Sequence, residues 1–141
     1  PNDLYWRDRK AGGILIESTT RRGEPIWYVA GMGININQTE FPDEVQNAVS
    51  LKQITGRDFD VEDLARELCE HLDRRYNELS SSHNTILDEY NQMLYRKNEL
   101  VRLKKDNAVF ETTIKEVNAA GDLITEDTIA RSFRVGEVIW V

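Results

Sequence analysis

The sequence predicts an α+β protein in two parts: a partial mixed sheet with packed helices, followed by a small β-barrel. Short runs rich in Ile, Val, Leu, Tyr and Trp fill residues 1–37, and apolar residues at helical spacing follow them. From Asn98 the period of the apolar residues changes from 3.6 to 2, which is typical of strands. We therefore expect one domain over residues 1–97 and a second over residues 98–141.

The first part opens with two predicted strands and a polar turn. The runs PNDLYWRDRKAGGILIE and PIWYVAGMGININ are both too short for helices and rich in residues that favour strands. Between them, residues 21–24 contain one glycine, Gly23, which suits a hairpin. Because side chains alternate along a strand, the second run has an even-numbered face that is a predicted core face, made of Tyr28, Ala30, Met32, Ile34 and Ile36.

The odd-numbered face of the second strand has an unusual composition. Val29 is followed by Gly31 and Gly33, and then by the amides of Asn35 and Asn37. Glycine inside a strand often marks the close approach of a ligand or of another backbone. The face is therefore either a floor for a flat ligand with polar ends or a place where strands pack closely, and the residues leave both interpretations open.

Helical spacing dominates the middle of the chain. A short helix is predicted between Ser50, its N-cap, and Gly56, its stop. A long helix follows the N-cap Asp60, with an apolar stripe of Val61, Leu64, Leu68, Leu72, Tyr76 and Leu79. A third helix, from about Thr85 to Tyr95, is expected to direct inward Ile86, Leu87, Tyr90, Met93 and Leu94.

The last part is predicted to hold five short strands, over residues 100–103, 108–117, 123–126, 129–135 and 138–141. Gly121 lies in a predicted turn that needs positive φ. Several short strands in succession favour a small barrel.

Composition and charge restrict the function classes. Hydrophobic content of 40% and charged content of 30% are ordinary for a globular protein, and no run approaches the ~20 apolar residues of a membrane helix. A net charge of −7 argues against binding to a nucleic-acid backbone. The single cysteine, Cys69, is predicted to lie in the core, excludes an internal disulfide and agrees with a reducing compartment.

Four motifs together carry a resemblance to a known family. PNDLYWRDRKAGGILIE, GMGININ, SLKQITG and the terminal GEVIW occur in the same order as in biotin protein ligases, the biotin–acetyl-CoA-carboxylase ligases. The sequence opens inside the family's Lys-Trp-Pro-Asn-Asp-Leu motif, and the family's upstream Gly-Arg-Gly-Arg-type loop is not in it. The resemblance therefore implies the C-terminal half of the catalytic domain and the C-terminal domain, which in the family resembles the Src-homology-3 barrel.

The resemblance implies an ATP-dependent ligase that activates biotin as biotinyl-adenylate. The biotinyl group then passes to a lysine of the biotin carboxyl carrier protein of acetyl-CoA carboxylase. ATP, Mg²⁺ and biotin are the expected ligands, and the cytoplasm is the expected location. We expect the present chain to be inactive alone, to self-associate through its sheet, and to bind neither membrane nor nucleic acid.

The resemblance also assigns roles to particular residues. Lys10 matches the family's reactive-centre lysine, and joining a carboxylate to a phosphate calls for a fixed cation there. Biotin is expected to contact Lys10, Gly13, Gly31 and Gly33. The ATP phosphates are expected near Asn2, Asp3 and Asn35, with Asp3 also the candidate Mg²⁺ ligand. Ala11-Gly12 stands where many members have Leu-Ala, a departure that keeps the lysine in place.

Two other functions stay open at this point. The chain could be a non-catalytic module that binds another protein through a small barrel on a helical support. It could also be a relative of the lipoate-attaching ligases, although the Gly-x-Gly-Ile-Asn-x-Asn strand favours biotin. In the last part, Gly136 and Glu137 either contact a ligand or form the turn before the final strand.

Overall fold

The computed structural model describes residues 2–22, 24–45, 47–79 and 83–141. Eight strands and three helices, with one turn of 3-10 helix at Asp43–Val45, lie within these ranges. The strands are β1 Asp3–Trp6, β2 Arg9–Arg21, β3 Glu24–Ile34, β4 Leu100–Lys105, β5 Ala108–Val117, β6 Leu123–Glu126, β7 Ala130–Phe133 and β8 Ile139–Trp140. The helices are α1 Leu51–Thr55, α2 Val61–Leu79 and α3 His83–Gln92.

The chain divides into two compact units, Pro1–Glu70 and His71–Val141, and the division falls inside α2. Each unit contains one sheet, with the strand order β1-β2-β3 in the first and β7-β6-β5-β4-β8 in the second. The predicted α+β class is confirmed. The predicted domain boundary before Asn98 lies inside the second unit and stays a prediction.

The opening run forms two strands, where the sequence predicted one. Trp6 pairs with Arg9, and the chain reverses between them with Arg7 at φ 55°. This left-handed conformation is uncommon for a residue with a Cβ atom, so sequence pattern does not reveal the turn. The predicted hairpin between β2 and β3 is confirmed, with Arg21 opposite Glu24, while Gly23 lies outside the described residues.

A short segment, Asn47–Val49, makes the first sheet mixed. The Lys10 backbone N–H donates to the Asn47 carbonyl at 2.7 Å, and the Val49 N–H donates to the Lys10 carbonyl at 2.9 Å. Ala48 thereby forms a parallel bridge with Lys10. The segment takes the place of β3, whose pairing with β2 ends at Ile34. The predicted partial mixed sheet is confirmed.

The predicted core face of β3 is wrong over most of its length. Tyr28 is 67% exposed and Met32 38% exposed, whereas Ile34 and Ile36 are half-buried. On β2, Leu15 and Ile16 point to opposite faces and both are exposed. The far part of the hairpin thus presents apolar side chains on both faces, because no described element covers it.

Two helix starts and one helix stop agree with the sequence. The Ser50 hydroxyl accepts from the Gln53 N–H while the Gln53 side chain accepts from the Ser50 N–H, which completes a capping box at α1. Gly56 ends α1 in the left-handed conformation at φ 74°. The Asp60 carboxylate accepts two backbone N–H groups of the first turn of α2 and is the predicted N-cap.

The apolar stripe of α2 lies largely on the surface. Leu64 and Leu68 are half-buried, and the other stripe residues are exposed: Val61, Leu72, Tyr76 and Leu79. Cys69 is exposed as well, so its predicted core position is wrong. Apolar periodicity identifies a helix face but cannot identify what covers that face. Within the described ranges, no helix is both long and apolar enough to cross a membrane.

All five predicted strands of the second unit are confirmed, and Gly121 takes φ 84° in the predicted turn. The predicted barrel is corrected, because the described strands form an open antiparallel sheet whose edges are β7 and β8. Inward side chains of β4 and β5 make the core, with Val101, Leu103 and Ile114 buried.

The side-chain amide of Asn91 links helix α3 to strand β5 of this sheet. Asn91 donates to the Val117 carbonyl at 2.9 Å and accepts from the Val117 N–H at 2.7 Å. Asn91 is buried, so the paired donor and acceptor satisfy each other away from water. Met93, predicted to point inward, directly follows the last residue of α3 and is 82% exposed.

Candidate functional site

A β-bulge in β2 directs Lys10 to the face of the first sheet that contains Gly13, Gly31 and Gly33, the glycine face. Leu4 pairs with Gly12 and the next residue, Tyr5, pairs with Lys10, so Ala11 is an extra residue on β2. A bulge interrupts the alternation of faces and often re-aims a side chain. Strict alternation would place Lys10 and Gly13 on opposite faces of the sheet. The bulge places them on the same face.

Four of the predicted site residues come together at this bulge. The Lys10 Nζ atom lies 2.7 Å from Asp3 Oδ1. A Cβ atom on Gly13 would lie 3.2 Å from Asp3 Oδ1 and 3.8 Å from Lys10 Cε, so the ion pair passes over this glycine. The Asn2 carbonyl accepts the Ile14 N–H at 2.7 Å and anchors the start of β1 beside it.

The ion pair between Lys10 and Asp3 is exposed to solvent. The side chains of Lys10 and Asp3 are 47% and 41% exposed. A pair this exposed contributes roughly 0–1 kcal/mol to stability. The pair therefore adds little to stability, and it leaves the Lys10 ammonium group on an accessible face of the sheet.

Gly31 and Gly33 continue that face along β3. Gly33 lies opposite Gly13, and Gly31 lies opposite Leu15. A Cβ atom on Gly33 would meet no described atom within 4 Å, and one on Gly31 would meet the Leu15 carbonyl oxygen at 3.8 Å. Neither glycine has positive φ. Packing among the described residues therefore does not require glycine at either position, which favours the interpretation of this face as a ligand floor.

Gly12 is the opposite case. A Cβ atom there would lie 2.5 Å from the Gly33 carbonyl oxygen and 3.1 Å from Ile34 Cα. Real Cβ atoms do not come this close to a backbone, so β2 and β3 can approach here because Gly12 has no side chain. The packing interpretation applies to Gly12.

Asn35 lies just beyond β3 and faces the backbone around Lys10. Its Nδ2 donates to the Lys10 carbonyl at 3.4 Å and to the Val49 carbonyl at 3.3 Å. The next amide, Asn37, forms a closed pair with the Phe59 backbone, with bonds of 2.8 and 3.0 Å. The predicted contact of Asn35 with phosphate stays a prediction.

Arg9 is a residue that sequence reasoning missed. Its Nε and Nη2 donate to the Ala48 carbonyl at 3.1 and 2.6 Å, and Nη2 also reaches Gln53 Oε1 at 3.2 Å. Arg9 thus fastens the segment Asn47–Val49 to β2 beside Lys10. The position of Arg9 next to Lys10 in the motif indicated only weakly that it belongs to the site. Its partner, Ala48, is 39 residues away and cannot be identified from the sequence.

Asp3 places a carboxylate next to Lys10, where it is available to a metal ion. In the described part of the chain, no group of three or more His, Cys, Asp and Glu side chains could hold a metal. Mg²⁺ commonly binds through one or two carboxylates together with water and substrate phosphates. The Asp3 carboxylate fits that pattern, although Oδ1 is paired with Lys10.

Gly136 and Glu137 form a turn. Gly136 takes φ 84°, and Glu137 Oε2 accepts from the Arg134 N–H at 3.1 Å and from Lys105 Nζ at 3.4 Å. Both residues are accounted for by the turn before β8, which was one of the two open interpretations.

Comparisons with curated proteins find ligases. The chain is 38% identical over 74 residues to the bifunctional ligase/repressor BirA of Escherichia coli strain K12, an alignment that covers 51% of this chain and 23% of that protein. It is 32% identical over 81 residues to the protein of the same name from Bacillus subtilis strain 168, covering 55% and 25%. The chain spans about a quarter of the length of the curated relatives it matches. No protein-family model matches it.

Comparisons with solved structures find the same group. The apo biotin protein ligase from Aquifex aeolicus matches with a TM-score of 0.80 and 22% identity, over 99% of this chain and 62% of that chain. The predicted resemblance to biotin protein ligases is confirmed. The Aquifex aeolicus biotin protein ligase in complex with biotin and ATP matches with a TM-score of 0.79 at 22% identity, over 99% of this chain and 59% of that one. The present chain therefore has the biotin protein ligase fold over nearly all of its length.

Proposed function

We propose that this chain supplies the lysine-bearing part of an ATP-dependent biotin ligase. The observation that carries the proposal is the ion pair between Lys10 and Asp3, which lies over Gly13. On the same face, a Cβ atom at Gly31 or Gly33 would meet no close contact among the described residues, so the face has unfilled space. The similarity to solved biotin protein ligases, one of them in complex with biotin and ATP, and to curated proteins named as ligases supports the same substrates for this chain.

In the proposed first step, a carboxylate oxygen of biotin bonds to the α-phosphorus of ATP while the bond to pyrophosphate breaks. Two anions must meet in this step, so a cation that is already in place lowers the barrier. Lys10 supplies that cation. Its ammonium group is a compact point charge, and the bond to Asp3 limits where it can lie.

Asp3 and Asn2 are the proposed neighbours of the phosphates. Asp3 would hold a bound Mg²⁺, and the positive charge of the ion would stabilise the negative charge of the phosphate oxygens. In this role the Asp3 carboxylate would bind the metal ion and Lys10 at the same time, with Oδ2 available to the metal. A carboxylate has two oxygens, and Lys10 contacts Oδ1.

In the proposed second step, the amine of a carrier lysine bonds to the acyl carbon of biotinyl-adenylate. AMP leaves, and the amine loses a proton, so the product is an amide. The proposed acceptor is the biotin carboxyl carrier protein of acetyl-CoA carboxylase. Gly31 and Gly33 have no side chains, which leaves room beside Lys10 for the fused rings of biotin.

The test is exchange of labelled pyrophosphate into ATP by the protein at its natural length. We expect exchange that depends on biotin and is not supported by lipoate. Exchange with lipoate alone would identify the lipoate-ligase relative instead. Absence of exchange with either acid, in a protein that binds neither, would favour the non-catalytic binding module.

A further inference from the structure

We propose that Arg9 is a positioning residue for Lys10, and that it acts by holding the segment Asn47–Val49 against the backbone of the lysine. The proposal rests on the function proposed for Lys10. Its basis is the set of hydrogen bonds that the Arg9 guanidinium group makes to this segment. It gives the arginine a part in the same reaction without a contact to the substrates.

The segment Asn47–Val49 bonds to both backbone groups of Lys10. The Lys10 N–H donates to the first residue of the segment at 2.7 Å, and the Lys10 carbonyl accepts from the last residue at 2.9 Å. The bridge is an isolated one, formed by Lys10 and Ala48. The next residue of β2 is the bulged Ala11, where the ladder with β1 is interrupted. The direction of the lysine at the bulge therefore depends on a bridge that has no regular strand behind it.

Arg9 binds the side of the segment that faces away from Lys10. In this parallel bridge the flanking residues make the bonds to the lysine, so the N–H and the carbonyl of Ala48 point away from it. The Ala48 N–H donates to the Val45 carbonyl at 2.9 Å. The Ala48 carbonyl accepts from Arg9 Nε at 3.1 Å and from Arg9 Nη2 at 2.6 Å. The segment thus lies between the backbone of β2 and a side chain of the same strand.

The bonds from Arg9 fall on a buried part of the chain. Ala48 is 8% exposed and Val49 is 2% exposed. Arg9 donates both of the bonds that the described residues give to the Ala48 carbonyl. Bonds from a charged donor are the stronger kind, and a buried carbonyl that loses its partner bears the cost of desolvation. Removing the guanidinium group should therefore release the segment that holds Lys10.

Gln53 fixes the guanidinium group from the side of helix α1. Its Oε1 accepts from Arg9 Nη2 at 3.2 Å and from the Ser50 N–H at 3.2 Å. Its Nε2 donates to the Thr39 carbonyl at 2.8 Å. Because a carbonyl oxygen accepts and cannot donate, the bond to Thr39 determines which way the amide faces. The guanidinium group is therefore held by two acceptors, and its position over the segment is fixed.

Arg9→Ala should lower kcat for biotin-dependent pyrophosphate exchange by about tenfold, the kinetic equivalent of one charge-assisted hydrogen bond. Arg9→Lys keeps the charge and a donor but loses the planar fork, so it should recover part of the rate. Both variants are measured in the protein at its natural length. An unchanged rate in Arg9→Ala would overturn the proposal.

Arg66→Ala and Asn91→Ala are the matched controls. Arg66 pairs with Asp63 at 2.7 Å on helix α2, so its loss tests the change of charge alone. Asn91→Ala removes the side-chain partner of the buried Val117 N–H and carbonyl, so it tests general loosening of the fold. Both controls should keep the rate. A fall in either control as large as that in Arg9→Ala would overturn the positioning role.

A double-mutant cycle separates positioning from a direct contact with the substrates. If Arg9 acts through Lys10, adding Arg9→Ala to Lys10→Met lowers the rate no further. If Arg9 itself binds a phosphate, the two losses multiply, and that result would overturn the proposal. Where Arg9→Ala fails to fold, Arg9→Lys enters the same cycle with a smaller expected loss.

Two NMR measurements on the protein without substrates keep the inference distinct from the function of Lys10. The signal of the Lys10 ammonium nitrogen reports the ion pair with Asp3, and hydrogen exchange of the Lys10 and Val49 amides reports the bridge. Arg9→Ala should shift or broaden the nitrogen signal and speed the exchange of both amides, whereas Arg66→Ala should change neither. If Lys10→Met keeps full activity, the proposed function fails, while these measurements still decide whether Arg9 positions the lysine. Unchanged signals in Arg9→Ala would overturn the inference, even where the rate falls.

Discussion

Replacing Lys10 with methionine separates chemistry from folding. Methionine keeps much of the length of the side chain and removes the ammonium group that lies 2.7 Å from Asp3. The exposed ion pair contributes roughly 0–1 kcal/mol to stability, so the free energy of unfolding should change little. Loss of one preorganised group that stabilises developing charge costs about 2.7–4 kcal/mol in the transition state, or about 100–1,000-fold in rate.

The assay is pyrophosphate release in the presence of biotin and ATP, made on the protein at its natural length. Lys52→Met is the matched control, because Lys52 also pairs with an aspartate, Asp58, at 2.7 Å but lies in α1, off the glycine face. The control should release pyrophosphate at the normal rate. A near-normal rate in Lys10→Met, or an equal loss in both variants, would refute the reasoning.

Four further predictions follow from the described contacts. Gly33→Val should weaken biotin binding with little effect on urea unfolding, whereas Gly12→Val, aimed at a carbonyl 2.5 Å away, should lower stability; the reverse order would restore the packing interpretation. Thr125→Val should raise the midpoint of thermal unfolding, because the Thr125 hydroxyl is buried without a partner among the described residues; a lower midpoint would reveal a missed bond. The backbone N–H of Ile129, and then Arg131, lower the pKa of Asp127, so Asp127→Asn should destabilise the chain near neutral pH. That difference should vanish as the pH falls through the lowered pKa, and a pH-independent difference in urea titrations would contradict it. The chain of 141 residues, made alone, should self-associate through the hairpin β2–β3, whose apolar side chains are exposed on both faces; light scattering that shows a monomer would count against this.

Local signals in the sequence predicted most of the elements. The caps at Ser50 and Asp60, the stop at Gly56 and the strands of the second unit follow from interactions within a few residues, and all are confirmed. The motif around Lys10 likewise predicted a resemblance that the comparisons confirm. These features depend on neighbours in the chain, so a single sequence contains enough to find them.

Burial was the weaker prediction. Periodicity placed Tyr28, Met93 and Cys69 on inward faces, and all three are exposed. An apolar stripe records which side chains share a face, but the element that covers the face comes from elsewhere in the fold. The sequence pattern therefore predicts the face and not its burial.

The arrangement at Lys10 is decided by tertiary structure. The sequence by itself determined that a lysine stands beside glycine-rich strands and that amides follow the second of them. The bulge at Ala11, the insertion of Asn47–Val49 beside Lys10, and the two bonds of Asn35 depend on residues far apart in the chain. Spacing does not distinguish Gly33, where a Cβ atom would meet no described atom within 4 Å, from Gly12, where it would meet a backbone oxygen at 2.5 Å. That distinction is a matter of which atoms lie within 4 Å, and the folded chain alone sets those distances.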